Sequence, residues 1–214
     1  RYVLNGVYMC FKADKLTVVA TDGRRLALAE HDVEVPKGTE SEFIVPTKAV
    51  LELQRLLTGD GKAKLSIGEN LLIVELGETT IATKLVEGTY PNFRQVIPSE
   101  AKERVALERE IFLAALHRAA LLASEKSQSV RLNFSNSKLT ITATTPDVGE
   151  AKEELKINYK GKDLSIGFNP QYLMDPLRNL DADEVFMELT DELSPGVIKI
   201  NEPFLYVLMP MRLS

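Results

Sequence analysis

The chain repeats itself. KLTVVAT (Lys15–Thr21) matches KLTITAT (Lys138–Thr144) at five of seven positions, an offset of 123 residues measured from Lys15 to Lys138. The same offset lays VPTKAVLELQRLL (Val45–Leu57) on FNPQYLMDPLRNL (Phe168–Leu180), placing Arg55 on Arg178 and Leu57 on Leu180. A register held from one strand-like segment to the next predicts two copies of one supersecondary unit. LNG at Leu4 and LNF at Leu132 extend the match after a short difference in the intervening hairpin.

Each copy reads mostly as strands, marked by alternating or continuous β-formers. In the first copy these are Val3–Phe11, Leu16–Ala20, Leu65–Ile67, Leu71–Leu76 and Ile81–Leu85. In the second they are Val130–Phe134, Leu139–Thr144, Val185–Leu189, Val197–Ile200 and Phe204–Met209. Turn chemistry separates them at ADK, TGDGK, GEN, SNSK and LSPG. Each copy also has a helix opening beside a proline, Pro46 or Pro170, where the missing N–H costs nothing. The second copy carries a further helical stretch, Leu107–Ser127, before its first strand. The class is therefore α+β, with domains expected over residues 1–98 and 99–214. The chain opens with Arg1, already strand-like, so it is expected to start inside its first unit, with a matching helix and a third repeat upstream.

At 214 residues, 44% hydrophobic and 27% charged, the chain can build real cores. No apolar run is long enough to span a bilayer. A single cysteine, Cys10, cannot make a disulfide framework and fits a reducing cytoplasm. The net charge of −5 argues against a uniformly basic nucleic-acid binder, though not against positive charge gathered on one face.

No catalytic set emerges. His31 falls in a loop and His117 on the polar side of a helix, and neither has a second ligand at metal spacing. GDGK at Gly59 lacks the rest of a phosphate-binding loop. The expectation is no enzyme, no cofactor and no metal. ATDGRRLALAE (Ala20–Glu30) is the most distinctive stretch: a strand, a Gly23 turn, then two arginines that the second copy lacks. On the two repeated helices Lys48, Glu52 and Arg55 form one polar stripe, and Gln171, Asp175 and Arg178 the matching one. The stripes suit a DNA contact or an ordinary solvated face. Leu121 and Leu122 point about 100° apart on a helix, which favours a partner surface.

TDGRRLA, KLVEGTYPNFRQVIP (Lys84–Pro98) and YVLMPMRL (Tyr206–Leu213) resemble the bacterial sliding clamp family, the β subunits of DNA polymerase III. The resemblance covers essentially the whole chain and aligns it with most of a middle domain and a C-terminal domain. It implies a DNA-clamp fold in which repeated domains put antiparallel sheets outside and helices around a central hole. It implies a homodimeric, cytoplasmic replication protein, a processivity factor that encircles double-stranded DNA without sequence readout. Tyr2, Lys48, Arg55, Arg118 and Arg178 are then candidates to face DNA, and Leu121 and Leu122 to lie at the dimer interface.

The resemblance also implies a hydrophobic peptide pocket shared by the polymerase III α subunit, the clamp loader, and translesion and repair proteins, through short linear motifs. It falls on Leu4, Thr21, Gly23, Arg24, Arg25, Leu26, Pro91, Gln95 and Val96. From the second unit it takes Asn169, Tyr172, Leu193, Val207, Leu208, Met209, Pro210, Met211 and Arg212. The chain departs from the usual family pattern at Arg24, Gln95 and Pro195. Two other readings remain: a protein-interaction adaptor using the same groove without DNA, and an all-β hydrolase or nuclease with a site near Asp22 and Arg25.

Overall fold

The structure is a computed structural model that describes residues 2–123, 129–146 and 148–212. The chain forms two compact units, Arg1–Asp22 with Ala27–Phe93, and Gly23–Leu26 with Arg94–Ser214. The division expected after Pro98 lies a few residues beyond this one.

The first unit begins with a 3-10 turn, Tyr2–Leu4, where the sequence suggested strand from Val3 onward. The Asn5 N–H donates to the Tyr2 carbonyl and closes that turn, so the strand starts only at Gly6. The strands β1 (Gly6–Lys12), β2 (Lys15–Thr21), β3 (Arg25–Asp32) and β4 (Ser41–Pro46) stand in the order β4-β1-β2-β3. Ala13 and Asp14, both at positive φ, make the two-residue turn joining β1 to β2, whose twist matches that of the strands. Helix α1 (Thr47–Leu56) follows, then a meander of β5 (Ala63–Ile67), β6 (Leu71–Leu76) and β7 (Thr79–Lys84). The core lies between α1 and the strands, where Phe43, Val45, Ala49, Leu72 and Val74 are buried together. Gly6 is obligatory in this packing, because a Cβ there would stand 2.4 Å from the Val45 carbonyl oxygen.

The second unit repeats the plan. Strands β9 (Val130–Ser135), β10 (Lys138–Thr145), β11 (Gly149–Lys156) and β12 (Leu164–Phe168) stand in the order β12-β9-β10-β11. That is the order of β4-β1-β2-β3 with each strand replaced by its repeat. Helix α3 (Pro170–Asn179) takes the place of α1, and β13 (Glu184–Leu189), β14 (Gly196–Lys199) and β15 (Phe204–Leu208) that of the meander.

The additions are β8 (Glu103–Glu108), paired with β13, and α2 (Arg109–Ala120), packed on α3. The helix expected over Leu107–Ser127 is thus shorter at its start. Val105 pairs with Met187 and Leu107 with Val185, so the ladder claims these residues before a helix can begin. The Arg109 N–H donates to the Asp183 carbonyl at 2.8 Å, and the helix starts there. Leu121 and Leu122 sit in the turn after α2, and residues 124–128 lie outside the described ones. Phe112, Ala115, Leu116 and Ala119 bury one full face of α2, while Ile111 and Leu121 remain exposed. His117 is exposed on the polar side, as its spacing suggests.

Candidate functional site

The chain's last described residues are held by backbone bonds on both sides. The Met209 N–H donates to the Arg24 carbonyl at 2.9 Å, and the Met211 N–H to the Gly167 carbonyl at 2.8 Å. The backbone leaves regular strand at Met209 and Pro210, and the two amides bond to different segments. The segment is therefore clamped between Gly23–Leu26 and β12, and its side chains are free to wall a cleft. That cleft, about 640 Å³, is lined by Leu193, Met209, Pro210 and Met211, with Ser165, Glu192 and Arg212 at its polar margin. Leu193 is 72% exposed and Met209 45%, and their grouping on one cleft makes an apolar patch of the kind a partner covers. Two flexible thioethers can repack around related apolar side chains.

Leu193 is presented by a fixed loop. The Asp191 carboxylate accepts the backbone N–H of Leu193 at 3.0 Å and of Ser194 at 2.7 Å. The Ser194 hydroxyl and these two amides hold the Asp191 carboxyl below the usual carboxylate range.

A second cluster surrounds Arg25. Its guanidinium bonds the Asp175 carboxylate, stands 4.3 Å above the Tyr172 ring centroid, and lies 3.4 Å from the Tyr206 hydroxyl. The N-terminus of α3 explains why Tyr172 and Asp175 sit there. Asn169 caps the helix, accepting from the Gln171 N–H at 2.9 Å and the Tyr172 N–H at 3.3 Å, with Pro170 in the first turn. At the other end Arg109 donates to the Leu177 and Ala182 carbonyls at 2.8 and 2.6 Å, satisfying orphan acceptors. Pro176 lies inside the helix and still lets the Leu180 N–H reach its carbonyl at 3.0 Å.

The remaining expected pocket residues are placed as follows. Arg24 and Gly23 occupy the exposed turn before β3, with Gly23 at φ +86°, and Leu26 is buried. Gln95 and Val96 lie exposed on a 3-10 turn, Phe93–Val96. Val207 and Leu208 are buried within β15 and do not line the cleft. In the first unit Leu4 is half-buried in the opening 3-10 turn, Thr21 ends β2, and Pro91 is exposed.

Sequence reasoning missed Ser165, Glu192, Asp191 and Asp175 as members of these clusters. The Asp-x-x-Ser spacing of a side-chain-stabilised turn was the available signal for Asp191. Nothing local marks Ser165, and Asp175 was legible only as part of the polar stripe of α3, since its partner Arg25 is remote in sequence.

The candidate DNA-facing residues are exposed, Tyr2 at 85%, with Lys48 on the first turn of α1. The three arginines each carry a carboxylate partner. Arg55 bonds Glu52 at 2.5 Å, and Arg178 lies 3.6 Å from Asp175. Arg118 makes a two-pronged pair with Glu153 at 2.9 and 2.6 Å, which raises the arginine's pKa and lowers the glutamate's. Leu121 is 73% exposed and Leu122 half-buried. No group of metal-ligating side chains occurs among the described residues, and no helix there is long and apolar enough to cross a membrane.

A duplicated α+β unit with strands in matched order and a methionine-walled cleft at its C-terminal segment defines the class, a clamp-type repeat protein. The model for the DNA polymerase III beta subunit central domain matches residues 1–92, and that for its C-terminal domain residues 94–212. The chain belongs to the DNA polymerase III beta subunit family.

It is 37% identical over 213 residues to the beta sliding clamp of Chlamydia pneumoniae, using all of this chain and 58% of that protein. The crystal structure of the DNA polymerase sliding clamp from Pseudomonas aeruginosa with ligand superposes at a TM-score of 0.95, with 38% identity over 100% of this chain and 59% of that one. A Pseudomonas aeruginosa sliding clamp bound to griselimycin gives 0.95 and 38%, over 99% and 58%. The chain thus spans under two thirds of the length of the relatives it matches.

Proposed function

We propose that this chain supplies a middle and a C-terminal domain of a ring-forming sliding clamp. The intact homodimer encircles double-stranded DNA and tethers the replicative polymerase, the clamp loader and repair proteins through a short apolar motif. The observation that carries the reading is the Met209–Arg212 cleft, built on a chain whose relatives are sliding clamps. The role is topological and non-catalytic, in the cytoplasm. Holding comes from closure of the ring, while screened contacts to phosphates permit sliding. The DNA-facing candidates, and the pocket candidates other than the buried Leu26, Val207 and Leu208, take the roles the resemblance implies, with Leu121 and Leu122 at the subunit contact.

Griselimycin, bound in solved relatives, is the probe for the cleft. Met211→Asp is expected to weaken its binding at least tenfold in a fluorescence titration, because an apolar wall would gain a charge. Unchanged affinity in Met211→Asp and Met209→Asp would remove the cleft from the account.

One observation favours the second reading, an adaptor that does not use DNA: Arg55, Arg118 and Arg178 all lie against carboxylates. A clamp predicts retention on circular DNA, and the adaptor predicts none.

A further inference from the structure

Asp175 has one carboxylate and two arginines. Its Oδ2 takes Arg25, which belongs to the candidate peptide pocket. Its Oδ1 accepts the Gln171 amide at 2.6 Å and lies 3.6 Å from the guanidinium of Arg178, which belongs to the candidate DNA face. Arg178 has a second neighbour in the Met174 sulfur, at 3.7 Å. All three charged side chains are one quarter to two fifths exposed, so their interactions are screened but not abolished.

We infer that Asp175 is a positioning residue that couples Arg25 to Arg178 across the polar face of α3, so that DNA held at Arg178 tightens ligand binding at the Arg25 side. This rests on the clamp reading above, because it needs both a DNA face and a groove. The carboxylate's field is divided between two cations. A phosphate that draws Arg178 outward leaves that field to Arg25. Arg25 is then held more firmly above Tyr172 and against the Tyr206 hydroxyl, in the orientation the pocket presents. A ligand meeting an ordered Arg25 loses less side-chain freedom on binding. The coupling is reciprocal, so ligand raises DNA affinity by the same factor. It also weakens with salt, since each contribution is a partly exposed charge pair.

The test uses the full-length protein, griselimycin and a short DNA duplex, at low and moderate salt. In the unmodified protein a saturating duplex is expected to tighten griselimycin binding roughly fivefold, the lower end of ordinary coupling factors. Arg178→Gln is expected to bind griselimycin with the tighter affinity already in the absence of DNA, and to show no further response to saturating duplex. Asp175→Asn is expected to bind more weakly and also to lose the response, and Asp175→Glu to recover part of it.

Melting temperatures separate these effects from loss of fold, and Arg178, exposed on the helix surface, provides the variant least able to disturb folding. Equal coupling factors in the unmodified protein and Arg178→Gln would overturn the inference while leaving the clamp reading intact. Absence of griselimycin or DNA binding in the unmodified protein would overturn both.

Discussion

Replacing Asn169 with alanine separates a structural from a binding role at one residue. Its side-chain oxygen accepts two backbone N–H groups at the start of α3, at 2.9 and 3.3 Å. Both would otherwise be orphan donors of the first turn. The second bond is the longer, and Asn169 is only half-buried, so water can replace part of what is lost. The expected cost is therefore mid-range for a cap, about 1 kcal/mol. For a unit of this size that is a fall in melting temperature of roughly 3–5 °C. Differential scanning calorimetry of the 214-residue chain reads it directly.

Asn169→Asp and Asn169→Ser keep an acceptor oxygen and should restore most of the loss. If the residue acts only as a cap, both should also keep griselimycin affinity in the full-length protein. If its amide nitrogen touches ligand, stability returns and affinity does not. An alanine variant as stable as the parent, or one no less stable than Asn169→Asp, would refute the capping argument.

Gly6→Ala should destabilise by about 1–3 kcal/mol in a urea titration, because the new methyl meets a backbone oxygen rather than a movable side chain. The Asp191 turn should give acid-sensitive groove binding. Its folded pKa is depressed, so its stabilising effect is present above the unfolded value of about 3.9 and fades as pH falls through the lower folded value. Griselimycin affinity should therefore drop in strong acid in the parent, and be reduced and flatter with pH in Asp191→Asn. Glu153→Gln frees the Arg118 guanidinium, and in the full-length protein should tighten DNA binding and steepen the salt dependence by about one unit of slope.

The repeat was the most legible feature, because Lys15–Thr21 and Lys138–Thr144 are both inner strands of matched sheets. An inner strand must be a β-former along its whole length, although the buried positions differ: Thr17 and Val19 in one copy, Leu139, Thr140, Ile141 and Ala143 in the other. The helices beside Pro46 and Pro170 were legible for a different reason, since a proline at a helix start is a local signal.

Other elements were not. Glu103–Glu108 is a strand because β13 offers it a ladder, while its apolar residues blend into the helical periodicity that follows. Gly149–Lys156, absent from the strands read in the sequence, is the sheet-edge strand β11. Pairing with β10 outweighs its weak β-propensity, and lysines and glutamates along an edge discourage further strand addition. The Arg25–Asp175 pair joins residues far apart in sequence, and only the fold could reveal it. The terminal methionines were legible through the resemblance of YVLMPMRL. That their backbone N–H groups fix them, at Arg24 and Gly167, was not.

The central claim is topological, and retention on DNA tests it most directly. The full-length protein, loaded on nicked circular DNA, should stay bound through a high-salt wash on a sizing column, and should be released when the circle is cut once. Phosphate contacts alone would be lost in that salt, so retention on circles with loss from linear DNA is the result the account predicts. Equal loss from circular and linear DNA would contradict it.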